Sequence, residues 1–307
     1  MRWRTGRRSS NIEDRRGSSM SRGSGGGVRI PILPLLLLLK GKRIGIGTIL
    51  LIGVLFWFFG GNLGDILGGL TGVTMQPSLT SSEPRPPARQ SQAKQELAEF
   101  VSVVLADTED TWNGLFRQLG KRYQEPKLVL FRGATRSACG IGQADMGPFY
   151  CPADQKVYLD LSFFEELRDR YKVPGDFAQA YVVAHEIGHH VQNLLGISAA
   201  VSEAQRSVGD SQANRYSVRQ ELQADCFAGL WAHHAHKSRS VLERGDIEEG
   251  LNAASAVGDD RLQRRARGYV SSDSFTHGSS EQRMRWFNTG LQSGELKRCN
   301  TFSVRNP

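Results

Sequence analysis

His185 and His189, four residues apart in the run Tyr181-Val182-Val183-Ala184-His185-Glu186-Ile187-Gly188-His189-His190-Val191, constrain this chain more than any other feature. The run is apolar and compatible with a helix, and in a helix of 3.6 residues per turn positions i and i+4 share one face. Two imidazoles on one side of an apolar helix suit a single metal ion held between them. Glu186 projects about 100° round the same turn. There it is placed to take the proton of a water at the metal instead of ligating, the role this motif carries. The bland alternative, two histidines satisfied by hydrogen bonds on a polar face, accounts poorly for neighbours as apolar as Val182, Val183, Ala184 and Ile187.

A metal that performs chemistry needs three protein ligands and an open position. The helical segment Arg219 to Ala232 places Glu221 and Asp225 on one face, again at i and i+4. Glu221 supplies the third ligand, and Asp225 accepts the free N–H of a ligating histidine and fixes its tautomer. A third histidine in the spacing His-Glu-x-x-His-x-x-Gly-x-x-His is excluded, because Gln192 and Leu195 stand at the required positions. The competing reading of Glu221 and Asp225 is a solvated helix face.

Glu-x-x-x-Asp about thirty residues after His-Glu-x-x-His resembles the gluzincin metallopeptidases. The likeness is closer to the bacterial neutral zinc metallopeptidase family and runs from end to end. It is carried by Met1-Arg2-Trp3-Arg4-Thr5-Gly6-Arg7-Arg8 through Gly17, by Phe149-Tyr150-Cys151-Pro152-Ala153-Asp154, by the two metal segments and by Thr276-His277-Gly278-Ser279-Ser280. The resemblance implies Zn2+, a peptide or protein substrate and a membrane anchor. It also implies a mainly α, α+β, zincin-like domain in which a small sheet lies beside the active-site helix. By the same likeness a Thr-His element ahead of a helix with an Arg sits near the zinc, so that His277 donates to the oxyanion of a tetrahedral intermediate. A capping and packing role is the alternative for His277.

Charge divides the chain. Residues 1 to 43 hold eleven Arg and Lys against two acids, leaving 28 basic and 29 acidic residues elsewhere. Rich in Arg, Ser and Gly, this stretch reads as a disordered basic cytoplasmic tail. Residues 44 to 61 are eighteen uncharged residues ending in Phe56-Trp57-Phe58-Phe59, near the minimum for a spanning helix. They read as a single-pass signal-anchor, with the N-terminus inside the bacterial inner membrane and the domain on its extracytoplasmic side. A cleaved signal peptide and a buried helix are the alternatives. Ile30 to Leu39, short and interrupted by Pro31 and Pro34, reads as interfacial. Residues 62 to 94 have the Gly, Pro and Ser composition of a linker, and the folded domain is predicted over 95 to 307.

Within that domain, Val101, Val104, Leu105, Trp112 and Leu115 form one helical apolar stripe. Lys127 to Phe131 reads as a strand, and Pro148 to Cys151 with Val157 to Asp160 as a hairpin. That hairpin either offers an edge to a substrate backbone or simply covers the zinc helix. Residues 197 to 214 read as an irregular excursion, and residues 246 to 262 as one amphipathic helix. Cys139 and Cys151 bracket a Gly-rich loop, and outside the cytoplasm such a pair closes as a disulfide. Cys226 can pair with Cys299 or remain a buried thiol, since four cysteines allow three connectivities. The site predicted is therefore His185, His189 and Glu221 as metal ligands, Asp225 behind them, and Glu186 and His277 as catalytic groups. Two other classes of function stay open: a zinc-binding envelope scaffold that cleaves nothing, and nucleic-acid binding through the basic tail, although no nucleic-acid partner is expected. The sequence leaves the oligomeric state open.

Overall fold

A computed structural model describes residues 1–17, 92–305 and 307. In chain order they form strand β1 (Ile12–Asp14), helix α1 (Gln92–Gln118) and strand β2 (Lys127–Phe131). The hairpin β3 (Ala134–Ser137) and β4 (Gly140–Gln143) follows, then β5 (Phe149–Cys151) and β6 (Lys156–Asp160). The helices after them are α2 (Ser162–Asp169), α3 (Asp176–Leu194), α4 (Ile197–Arg206), α5 (Asp210–Arg239), α6 (Asp246–Ala256), α7 (Asp259–Arg267) and α8 (Ser280–Ser293). The class is mainly helical with a small sheet, as α+β.

The predicted stripe of α1 is buried at all five positions. In α5 the stretch Leu222 to Ala232 is mostly apolar and buried on every side, which places it in the centre of the core. Helix α8 crosses it at a pair of glycines. A Cβ on Gly229 would lie 1.9 Å from the Phe287 carbonyl oxygen, and one on Gly290 would lie 1.9 Å from that of Cys226. Only backbones without side chains approach so closely.

The four-stranded sheet has the order β1-β2-β6-β5, parallel except for the β5–β6 hairpin. Leu128, Leu130, Val157 and Leu159 face the main core, whereas Val129, Phe131, Cys151 and Tyr158 form a second cluster on the other face. Both faces are covered, which is why β2 and β6 read as continuous apolar runs.

Five expectations are corrected. Residues 1–17 are not a disordered tail: β1 pairs with β2, Met1 and Trp3 are buried, and Trp3 packs edge-on to Phe100 at 5.3 Å. Their composition misled because the arginines meet acids of the domain. Arg4 pairs with Glu96, Arg7 with Glu109 and Asp110, and Arg8 with Glu99. Arg15 and Arg16 pair with Glu13 and Asp14. The first domain helix begins at Gln92, inside the predicted linker. Residues 197 to 214 are helix α4 and the start of α5, and residues 246 to 262 divide into α6 and α7 around Gly258. The β3–β4 hairpin occupies part of the predicted Gly-rich loop. The predicted anchor at 44 to 61, the interfacial run 30 to 39 and most of the linker lie outside the described residues. Among the described residues, no helix is long and apolar enough to cross a membrane.

Candidate metal centre

The centre forms where α3 crosses α5. Gly188 allows the approach, since a Cβ there would sit 3.0 Å from the Cα and carbonyl oxygen of Ala224. The crossing sets Glu221 against both histidines. Its Oε2 is 3.2 Å from His185 Nε2, and its Oε1 is 3.4 Å from His189 Nε2. One ligand atom from each of the three residues lies within 4.8 Å of the others.

The far nitrogens are engaged as well. His185 Nδ1 faces Asp225 Oδ1 at 2.9 Å, and His189 Nδ1 faces Gln192 Oε1 at 2.9 Å. Each Nδ1 therefore carries its hydrogen toward an oxygen, and each Nε2 keeps its lone pair for a metal. Gln192 is held in turn by donating to the Gln220 carbonyl and to Gln223. Asp225 is fully buried and also accepts from Tyr181 Oη at 2.5 Å and from Arg283 Nε at 2.8 Å and Nη2 at 2.9 Å. The carboxylate is thus satisfied on both oxygens.

The electrostatics fit a cation. Burial alone would push the His185 imidazole down, but Asp225 and Glu221 outweigh it and hold the group up at about 10. His189 is raised against burial by Glu221. Burial opposes ionisation of Glu221 and Asp225 too, yet both are lowered, Glu221 by the two imidazoles and Asp225 by Arg283 and His185. Positive charge is favoured at this point, and two imidazole nitrogens with one carboxylate match the donor set of a zinc that keeps an open position. Among the described residues one other acidic trio converges, Asp176, Asp246 and Glu249, and there the α-amino group of Met1 lies 2.5 Å from Asp176.

Glu186 is buried and lines a cavity of about 550 Å3 together with His185, His189, Glu221, His277 and Arg283. His277 reaches this cavity from the loop before α8, and the structure supplies a partner that sequence reasoning missed. Asp259 Oδ2 accepts the backbone N–H groups of Thr276, His277 and Gly278 at 2.7, 2.6 and 3.0 Å, and its Oδ1 lies 3.3 Å from His277 Nδ1. The Asp259 hydrogen bond raises the His277 pKa against partial burial. Nothing local marked Asp259, since it stands eighteen residues from His277 and joins it only through the fold.

Strand β5, the last in the sheet order, forms another wall through Phe149 and Tyr150, with Pro148 just before it. His190 ties it to α3. Its Nε2 donates to the Gln124 carbonyl at 2.6 Å, so its Nδ1 is free to accept from Tyr150 Oη at 3.0 Å. Asn193 donates to the same oxygen at 3.0 Å, and burial pushes His190 down to about 4. The cysteines form Cys139–Cys151 and Cys226–Cys299. The first joins the β3–β4 turn to β5, and the second anchors α5, which carries Glu221, to the C-terminal segment. The tract His233 to His236 holds no metal set: His233 and His234 face the carbonyls of Leu291 and Gly294.

A family model described as "Putative neutral zinc metallopeptidase" matches residues 1–302. Among curated relatives, "Uncharacterized protein YpfJ" of Escherichia coli (strain K12) is 51% identical over 305 residues, covering 98% of this chain and 99% of the relative. "Uncharacterized protein Mb2605" of Mycobacterium bovis is 40% identical over 215 residues, covering 67% of this chain and 72% of the relative. No solved structure matches. A match over nearly the whole length, carried on a chain whose two histidines and glutamate converge as a zinc donor set, identifies it as a member of the neutral zinc metallopeptidase family.

Proposed function

We propose that this protein is a membrane-associated zinc peptidase of zincin type that hydrolyses peptide bonds at the extracytoplasmic face of the bacterial inner membrane. The observation that carries the reading is the convergence of His185, His189 and Glu221 with the buried carboxylate of Glu186 in the same cavity. His185, His189 and Glu221 would hold the zinc, which would supply the Lewis acidity that makes water nucleophilic near neutral pH. Asp225 and Gln192 keep both imidazoles in the ligating tautomer. Glu186 accepts the proton of the attacking water and delivers it to the leaving nitrogen. His277, oriented by Asp259, donates toward the carbonyl oxygen as negative charge develops there. Strand β5, at the end of the sheet among the described residues, offers its edge to an extended substrate, which favours backbone recognition over strict side-chain selection. The two disulfides accord with an oxidising compartment.

The test uses the full chain. Zinc content is measured for the wild type and for Glu186→Gln, and both are given an unfolded protein mixture. The expected result is about one zinc per chain in each, with cleavage reduced by at least two orders of magnitude in the variant. Zinc without cleavage in either protein would favour the scaffold reading. Absence of zinc from the wild type would overturn the proposal.

A further inference from the structure

Residues 1–17 are built into the domain so thoroughly that they must lie on the same side of a membrane as the rest of it. Strand β1 is in parallel register with β2, with Ile12, Glu13 and Asp14 opposite Leu128, Val129 and Leu130. Glu109 of α1 is 1% exposed, and its carboxylate receives hydrogen bonds from Arg7, Ser9 and Asn11. Without those residues the domain would hold a buried carboxylate stripped of three donors, and β2 would lose its partner on that side. The two ends of the intervening chain also meet. Arg16 donates to the Lys94 carbonyl at 3.0 Å and lies 3.5 Å from Gln95 Oε1.

Groups in such contact cannot be separated by a hydrocarbon layer about 30 Å thick. A chain that crossed once between residues 17 and 92 would place β1 and β2 on opposite faces, which the register forbids. Two crossings would need two stretches of spanning length. The sequence holds one uncharged run of eighteen residues or more, at 44 to 64, while Ile30 to Leu39 is ten residues long and contains two prolines. The charge pattern agrees, because six of the eleven basic residues assigned to a cytoplasmic tail belong to residues 1–17, where acids pair them.

We propose that residues 1–17 and residues 92–307 lie on the same face of the membrane, and that the chain binds the bilayer from that face, leaving and rejoining the domain there. This replaces the single crossing with its ends on opposite sides. It does not depend on the peptidase reading.

The test is carried out on the full chain in cells. Single cysteines are introduced separately by Ser10→Cys and Lys121→Cys, both exposed, and a membrane-impermeant maleimide is applied to intact spheroplasts and to inverted vesicles. The expected result is that both positions react in one preparation and both are protected in the other, with the chain sedimenting in the membrane fraction after an alkaline wash. Labelling of the two positions from opposite faces would overturn the proposal, as would recovery of the full chain in the supernatant. Should either variant fail to fold, impermeant protease on the wild type, followed by mass spectrometry of peptides from residues 1–17 and 92–307, reads the same sidedness.

Discussion

Asp225 accepts from His185, Tyr181 and Arg283 at once, behind the candidate metal site. Asp225→Asn is expected to weaken zinc binding about 10- to 100-fold, read by competition with a chelator. It should also destabilise the fold by about 3–5 kcal/mol in urea unfolding, because Arg283 is left buried without its counter-charge. His277 gives a pH prediction with a definite sign. Its folded pKa is raised above the unfolded value of about 6.5, so the stabilising charge is fully present below that pH and is lost as pH rises through the folded pKa. Hydrolysis that uses the imidazolium therefore has an alkaline limb. Asp259→Asn removes the group that raises the pKa and should move the limb to lower pH in a kcat/KM profile. A limb that stays in place would remove His277 from that role.

At the level of elements, the domain depends on a strand that lies far from it in sequence. A chain reduced to residues 92–307 loses β1, the Trp3–Phe100 packing and the partners of Glu109. Its stability should fall by about 3 kcal/mol or more in thermal or denaturant unfolding. A peptide of residues 1–17 added in trans should restore part of the loss. The α3–α5 crossing is equally specific. Gly188→Val would drive a branched side chain into the backbone at Ala224, costing about 1–3 kcal/mol and loosening the distance between Glu221 and the two histidines. Lower zinc affinity with the secondary structure retained, measured by metal competition and circular dichroism, is the expected outcome. Helices α1, α3 and α5 were readable because their apolar faces repeat with the helical period. The β3–β4 hairpin was not, since Gly140 to Gln143 carries no alternation and pairs only because Ala134 to Ser137 lies beside it.

Across the whole molecule the two disulfides should behave differently. Cys139 is exposed, whereas Cys226 and Cys299 are fully buried. A graded reductant should open Cys139–Cys151 first, as followed by thiol alkylation and mass spectrometry. Replacing both Cys226 and Cys299 by Ala removes a link across 73 residues. The expected loss is about 4 kcal/mol on the loop-entropy scale, measured by denaturant unfolding.

The sequence by itself determined what local periodicity can encode. Four-residue spacing placed His185 with His189 and Glu221 with Asp225, the apolar runs marked the helices that carry them, and the short apolar runs marked the strands. Only the tertiary structure decided what depends on residues distant in the chain. It brought Glu221 to the histidines across the Gly188–Ala224 approach, gave His277 its Asp259, selected one cysteine pairing of three and turned a basic stretch into a strand of the sheet. The physical reason is the same in each case. A helix face is fixed by the nearest four residues, whereas the free energy that seats Arg7 on Glu109 or Ile12 beside Leu128 exists only after the two segments have met.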